Sequence, residues 1–170
     1  EITGDLQEDQ TLTVNVNNIS DDDGLGSEGF SYQWLANGQI ISEATNDSFT
    51  LTQNEVGKVI SVSISYTDGE GTFETVTSDL TAEVGNFNDD PVGKPEIIGD
   101  AVKFKTLSVD TSSIDDADDL GAFSYQWLSN GQIIDGATSE IFTLTRHEVG
   151  KTISVEVQYT DGEGTVETLI

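Results

Sequence analysis

Ile60-Ser61-Val62-Ser63-Ile64-Ser65-Tyr66-Thr67 alternates apolar and hydroxyl side chains without a break. A period of two turns every apolar side chain to one face and every hydroxyl to the other, the pattern of a half-buried β-strand. The pattern returns as Ile153, Val155, Val157 and Tyr159, and the return is part of a longer repeat. Residues 30–75 align with residues 123–168 at an offset of 93, with 33 identities in 46 positions. Upstream the offset is 95, pairing Thr11-Leu12 with Thr106-Leu107, Ile19 with Ile114 and Leu25-Gly26 with Leu120-Gly121. Two extra residues near Ser27-Glu28 account for the change. Each copy is about 90 residues long, an ordinary size for one small domain.

Around the deciding strand the other signals are also those of β structure. Phe30, Tyr32 and Trp34 alternate with polar residues, and Asn37-Gly38 lies between the apolar runs ending at Ala36 and resuming at Ile40. Asn-Gly in that setting marks a two-residue hairpin. Further strands are expected over 11–16, 48–52 and 71–84, with a single turn at Glu55-Val56-Gly57-Lys58. Seven or so short strands with a tryptophan on the third predict a Greek-key β-sandwich, immunoglobulin-like in architecture but without its cysteine pair. The expected organisation is all-β, with two tandem sandwiches over 1–87 and 96–170 joined by a linker over 88–95. That linker ends in the second of the chain's two prolines, Pro91 and Pro95. Ile170 aligns with Thr77, so the second copy reads as lacking the counterpart of Ser78–Val84, its last strand incomplete in an array cut partway through a repeat.

Charge narrows the function. The 170 residues hold 32 Asp+Glu against 6 Lys+Arg, a net charge of -26, with no Cys. Phosphate backbones and anionic lipid repel such a chain, so nucleic acid is not an expected partner and cations are. No apolar run is long enough to span a bilayer, so no direct membrane insertion is expected. Without cysteine there is no disulfide framework and no thiolate site. The surplus is uneven, net -17 over residues 1–90 and -9 over 91–170.

In a Greek-key sandwich the loops after the second and sixth strands share one end, and those after the first and fifth share the other. Asp115, Asp116, Asp118 and Asp119 fall in the loop after the second strand of the second copy, as Asp21, Asp22 and Asp23 do in the first. Asp68-Gly69-Glu70 and Asp161-Gly162-Glu163 occupy the hairpins after the sixth strands. Glu8 and Asp9 lie before the second strand of the first copy, Glu55 in the turn before its sixth, and Asn88-Asp89-Asp90 follow its end. If successive sandwiches stack end to end, these acids are predicted to meet and to need a hard dication. Ca²⁺, which takes six to eight oxygen ligands, is the expected cofactor. Asp and Gly also form tight turns without any metal, the structural alternative for every one of these residues.

The motifs EDQTLTV (8–14), ISDDDGLG (19–26), FSYQWL (30–35), NGQII (37–41), EVGK (55–58), YTDGEGT (66–72) and NFNDDP (86–91) resemble the tandem cadherin-like or immunoglobulin-like repeats of large bacterial surface adhesins of the RTX-associated kind. The resemblance implies calcium between repeats. Glu8, with Asp9, would fill the early acidic position and Glu55 the turn position. Asn88, Asp89 and Asp90 would be the linker ligands, and Asp116-Ala117-Asp118 the paired aspartates, with Asp161 beside them. Gln53-Asn54-Glu55 departs from the family's DRE at the turn. Lys103-Phe104-Lys105 stand where the first copy has Glu8-Asp9-Gln10, so a calcium cluster below the second copy is expected to be weak or absent. Asp21 and Asp23 would belong to a half-site completed by a preceding linker.

The resulting expectation is a non-catalytic, calcium-stiffened stalk repeat of an extracellular bacterial adhesin. It would be a monomer whose partners are neighbouring repeats of the same polypeptide. His147, the only histidine, aligns with Asn54 in a turn, and no nucleophile elbow, phosphate loop or zinc spacing is present. The alternative is a carbohydrate-binding module with polysaccharide as ligand. Against it, ten of the thirteen aromatic residues fall in repeat-matched pairs at inward strand positions, leaving Phe73, Phe87 and Phe104. Homophilic contact between cells is a third reading.

Overall fold

Fourteen strands and one 3₁₀ turn make up the chain, whose computed structural model describes residues 1–170. By contact density the chain divides into Glu1–Phe87 and Asn88–Ile170. In the first unit the strands are β1 (Ile2–Thr3), β2 (Thr11–Val14), β3 (Ser31–Ala36), β4 (Gln39–Ile40), β5 (Ser48–Thr50), β6 (Ile60–Thr67) and β7 (Phe73–Thr77). They form two antiparallel sheets, β1-β2-β5 and β4-β3-β6-β7. The chain crosses between sheets after β2, β4 and β5, which is the connectivity of a β-sandwich. Its deciding strand is β6, paired along its length with β3 from Ser31 opposite Ser65 to Ala36 opposite Ile60.

Alternation does what the sequence requires. Leu12 from one sheet and Trp34, Ile60 and Val62 from the other are fully buried, together with Leu51. Each aliphatic side chain so buried contributes about 1.5–3 kcal/mol, which is what sets the register. Trp34 keeps its polar handle satisfied by donating from Nε1 to the Asn46 carbonyl at 2.9 Å. Gln33, next to it, closes the loop after β4 by donating to Ile41 O at 2.8 Å and Trp34 O at 3.0 Å.

The second unit repeats this with β8 (Glu96–Ile98), β9 (Thr106–Asp110), β10 (Ser124–Ser129), β11 (Gln132–Ile133), β12 (Ile141–Thr143), β13 (Ile153–Thr160) and β14 (Val166–Leu169). The sheets are β12-β9-β8 and β11-β10-β13-β14. Trp127 and Val157 are fully buried with Leu107, Val109, Leu144 and Val155 around them. The residues expected to be a linker pack as part of this unit, because Val92 and Asp115 exchange backbone hydrogen bonds at 2.8 and 3.1 Å.

The Asn-Gly hairpins form as expected. Asn37 and Gly38 have φ of 48° and 75°, and Asn130 and Gly131 of 49° and 75°. Both residues of the turn are left-handed, which matches the twist of the flanking strands. A Cβ at Gly38 would meet open space, so Gly38→Ala tests conformation alone. It is expected to lower stability by about 1–2 kcal/mol in a urea melt.

One expected strand is interrupted. Instead of running through 71–84, β7 stops at Thr77, and the chain touches β6 again at Ser78 and Thr81, whose N–H groups donate to Val62 O and Ile60 O at 2.9 and 3.0 Å and whose hydroxyls accept in return. Ser78 Oγ accepts from Val62 N–H at 3.1 Å, and Thr81 Oγ1 from Ile60 N–H at 2.9 Å. Hydroxyls here replace the carbonyls of a regular ladder. Pairing then resumes as isolated bridges, Glu83 with Val59, Val84 with Val56 and Gly85 with Gln7. The turn before β6 also begins earlier than expected, as a 3₁₀ turn over Gln53–Glu55.

Candidate metal-binding carboxylates

Each unit brings two loops together at the end of its long sixth strand. In the second unit these are the loop carrying Asp116-Ala117-Asp118 and the hairpin that starts at Asp161. Gly162 joins them, donating its N–H to the Asp118 carbonyl at 2.7 Å. A Cβ on Gly162 would lie 2.7 Å from that carbonyl oxygen, so only glycine permits the approach. Gly162→Ala is therefore expected to part the loops and cost about 2 kcal/mol in chemical denaturation, an overpacking penalty.

The side chains are held individually. Asp116 Oδ1 accepts from Asp118 N–H at 3.0 Å, and its Oδ2 accepts from the Tyr159 hydroxyl. Burial, and then the Asp116 carboxylate, push the Tyr159 hydroxyl well above its ordinary pKa, so it stays a donor. Asp118 is 1% exposed, and its Oδ2 accepts from Asp89 N–H at 2.8 Å. Asp161 Oδ1 accepts from Glu163 N–H at 2.9 Å and Thr165 N–H at 2.8 Å. Asn88 donates from Nδ2 to Glu167 Oε1 at 3.1 Å.

After these bonds, three buried oxygens remain with no hydrogen-bond partner: Asn88 Oδ1, Asp118 Oδ1 and Asp161 Oδ2. Asn88 adjoins Asp89, whose N–H donates to Asp118, and Asp161 adjoins Gly162, whose N–H donates to the Asp118 carbonyl. Asp89 and Asp118 also offer carboxylate oxygens within 4.8 Å of each other. Burying an acceptor unsatisfied costs about 1–3 kcal/mol, and more if it is charged. Residues 115–122 and 161–165 contain no Lys, Arg or His to supply the missing donor. The Asp89 and Asp118 carboxylates can take part in holding a metal ion.

The first unit carries the same parts. Asp23 N–H donates to Asp21 Oδ1 at 3.0 Å, Tyr66 donates to Asp21 Oδ2 at 2.9 Å, and Asp68 Oδ1 accepts from Glu70 and Thr72 N–H. Carboxylate oxygens of Asp21, Asp23 and Asp68 lie within 4.8 Å of one another. The backbone donor of Thr72, followed by other donors of the hairpin, holds Asp68 below the usual carboxylate range. Its contribution to stability is thus present above the unfolded pKa and lost as pH falls through the folded one. Asp23 is exposed, unlike its counterpart Asp118.

The remaining residues with metal-ligand expectations separate by burial. Glu8 is buried, and its Oε2 lies 3.5 Å from Phe87 N–H. Asp9 is exposed in a left-handed turn, φ 63°. Asp90 is exposed as well. Glu55 is buried, and its Oε2 accepts from Thr52 N–H and Oγ1 at 3.0 and 2.9 Å, closing a capping box. Glu148 accepts in the same way from Thr145 at 2.8 and 2.7 Å in a turn that is not helical, so closing the turn accounts for this acid in both units. Thr52-x-x-Glu55 was its signature in the sequence. The roles of Tyr66 and Tyr159 were not legible there, because matched aromatics on a strand read as core.

Trp34 and Trp127 are fully buried, while Phe73, Phe87 and Phe104 are exposed. No helix of the chain is long and apolar enough to cross a membrane. No family model matches the chain, and no curated protein shows significant similarity to it.

Proposed function

We propose that the chain is a non-catalytic, calcium-stiffened extender of a bacterial extracellular adhesin, with Ca²⁺ taken up at the connection between successive repeats. The observation that carries this is the set of three buried, partnerless acceptors, Asn88 Oδ1, Asp118 Oδ1 and Asp161 Oδ2. All three are oxygens on residues with short side chains, in a chain of net charge -26. A hard dication with many oxygen ligands suits such acceptors, whereas a thiophilic or imidazole-seeking metal finds neither Cys nor, in these loops, His. The bacterial surface setting rests on the resemblance of the repeat motifs. Oxygen-only sites in extracellular modules have Kd on the order of 10⁻⁴ to 10⁻³ M, which matches calcium-rich surroundings.

Two measurements test the reading. Calorimetric titration of the decalcified chain with Ca²⁺ is expected to give saturable binding in that range, and Asp161→Asn to weaken it at least about tenfold, as loss of a charged ligand does. Small-angle scattering is expected to give a narrower distribution of shapes with Ca²⁺ than with chelator. Absence of calcium heat would end the metal assignment. Binding without a change in scattering would end the stiffening role alone.

A further inference from the structure

Tyr159 is the last buried side chain of β13, 2% exposed, and its ring packs edge-on against Phe123 with centroids 5.4 Å apart. A ring that only filled the core would do so better without its hydroxyl, since burying that group unpaired costs free energy. The hydroxyl instead reaches the Asp116 carboxylate, 43 residues away in the other loop. The first unit repeats the arrangement. Tyr66 packs edge-on against Phe30 at 5.7 Å and donates to Asp21 Oδ2, while Asp21 Oδ1 receives Asp23 N–H.

In the second unit each oxygen that lacks a donor stands on a residue tied to Tyr159. Through Asp116 the hydroxyl sets Asp118, whose N–H donates to Asp116 Oδ1 at 3.0 Å. Glu167, the cross-strand partner of Tyr159 on β14, accepts from Asn88. Asp161 follows two residues along the chain, its Oδ1 taken up by N–H groups of its own hairpin. Asp116 differs from these three. It is buried too, but each of its oxygens has a donor, whereas Asn88 Oδ1, Asp118 Oδ1 and Asp161 Oδ2 have none.

We propose that Tyr159 is a positioning residue for calcium, acting through Asp116, which anchors the brace and does not itself bind the ion. The inference rests on the calcium reading of these loops. A partner one bond removed from the ion orients the ligands, and its removal changes metal affinity about 10–100-fold. With the loop already drawn to the hairpin, less ordering opposes binding.

The test is titration of the whole chain with Ca²⁺, followed by NMR at the amides of Asp118 and Gly162 and at the aspartate carboxylate carbons. Tyr159→Phe keeps the ring and loses the bond, and is expected to weaken binding at these amides at least about tenfold. Added to Asp116→Ala, it is expected to cost less than about threefold more, because the two side chains act as one. On saturation the carboxylate carbons of Asp118 and Asp161 are expected to shift and that of Asp116 to stay. Wild-type affinity in Tyr159→Phe, with only a lower Tm, would make the hydroxyl merely structural and overturn the proposal. An Asp116 shift as large as that of Asp161 would overturn it as well, and both results leave the calcium reading standing. Wild-type amides that ignore Ca²⁺ would end that reading and this inference together. The carboxylate readout needs only the wild-type chain, so it decides the case even if a variant fails to fold.

Discussion

Asp118→Asn is expected to change sign with calcium: stability equal to or above wild type in chelator, and clearly below it in 10 mM Ca²⁺. The reason lies in the bonding of the one carboxylate. Oδ2 has a donor in Asp89 N–H, which an amide oxygen can accept as well. Oδ1 has none, and it is buried. Without an ion the substitution removes an uncompensated buried charge, and with an ion it removes a ligand. If Kd is on the order of 10⁻⁴ M, a hundredfold excess of Ca²⁺ stabilises the wild type by about 2.7 kcal/mol. For a unit of this size that is a rise of roughly 10–20 °C in Tm, measurable by scanning calorimetry. A purely structural aspartate would give a variant weaker under both conditions, which would remove Asp118 from the site.

Trp127→Ala and Trp34→Ala are each expected to cost about 3–5 kcal/mol and to unfold most of the unit that carries them. Both indoles are fully buried, each stacks near a phenylalanine at 5.5 to 5.8 Å between centroids, and each donates from Nε1 to a carbonyl of the loop before the fifth strand. Urea melts followed by circular dichroism measure the loss. A tryptophan serving as a sugar platform would instead leave the melt unchanged and abolish polysaccharide binding.

Strands and hairpins were legible in the sequence because alternation and Asn-Gly are properties of side chains read one at a time. Asp116, Asp118 and Asp161 were legible as a group because the repeat fixes the loops in which they stand. Backbone contacts were not. The pairing of Val92 with Asp115, which folds the expected linker into the second unit, leaves no mark on either side chain. Nor does the interruption after Thr77, where Ser78 and Thr81 look like ordinary strand residues until their hydroxyls are seen to accept from β6. Glu55 illustrates the opposite case. Its cap motif was present in the sequence, yet so was the acidic pattern that suggested a ligand, and only its bonds to Thr52 show how the carboxylate is used.

Six of the eight outer strands are very short, two residues in β1, β4 and β11 and three in β5, β8 and β12, against five in β7 and four in β14. Tandem copies this alike in sequence could exchange strands while still nascent, since each carries edges that fit its neighbour as well as itself. A border of two or three residues offers a wrong partner too few backbone bonds to hold on to. The same brevity that makes these margins look incomplete lets near-duplicate sequences mature side by side without entangling.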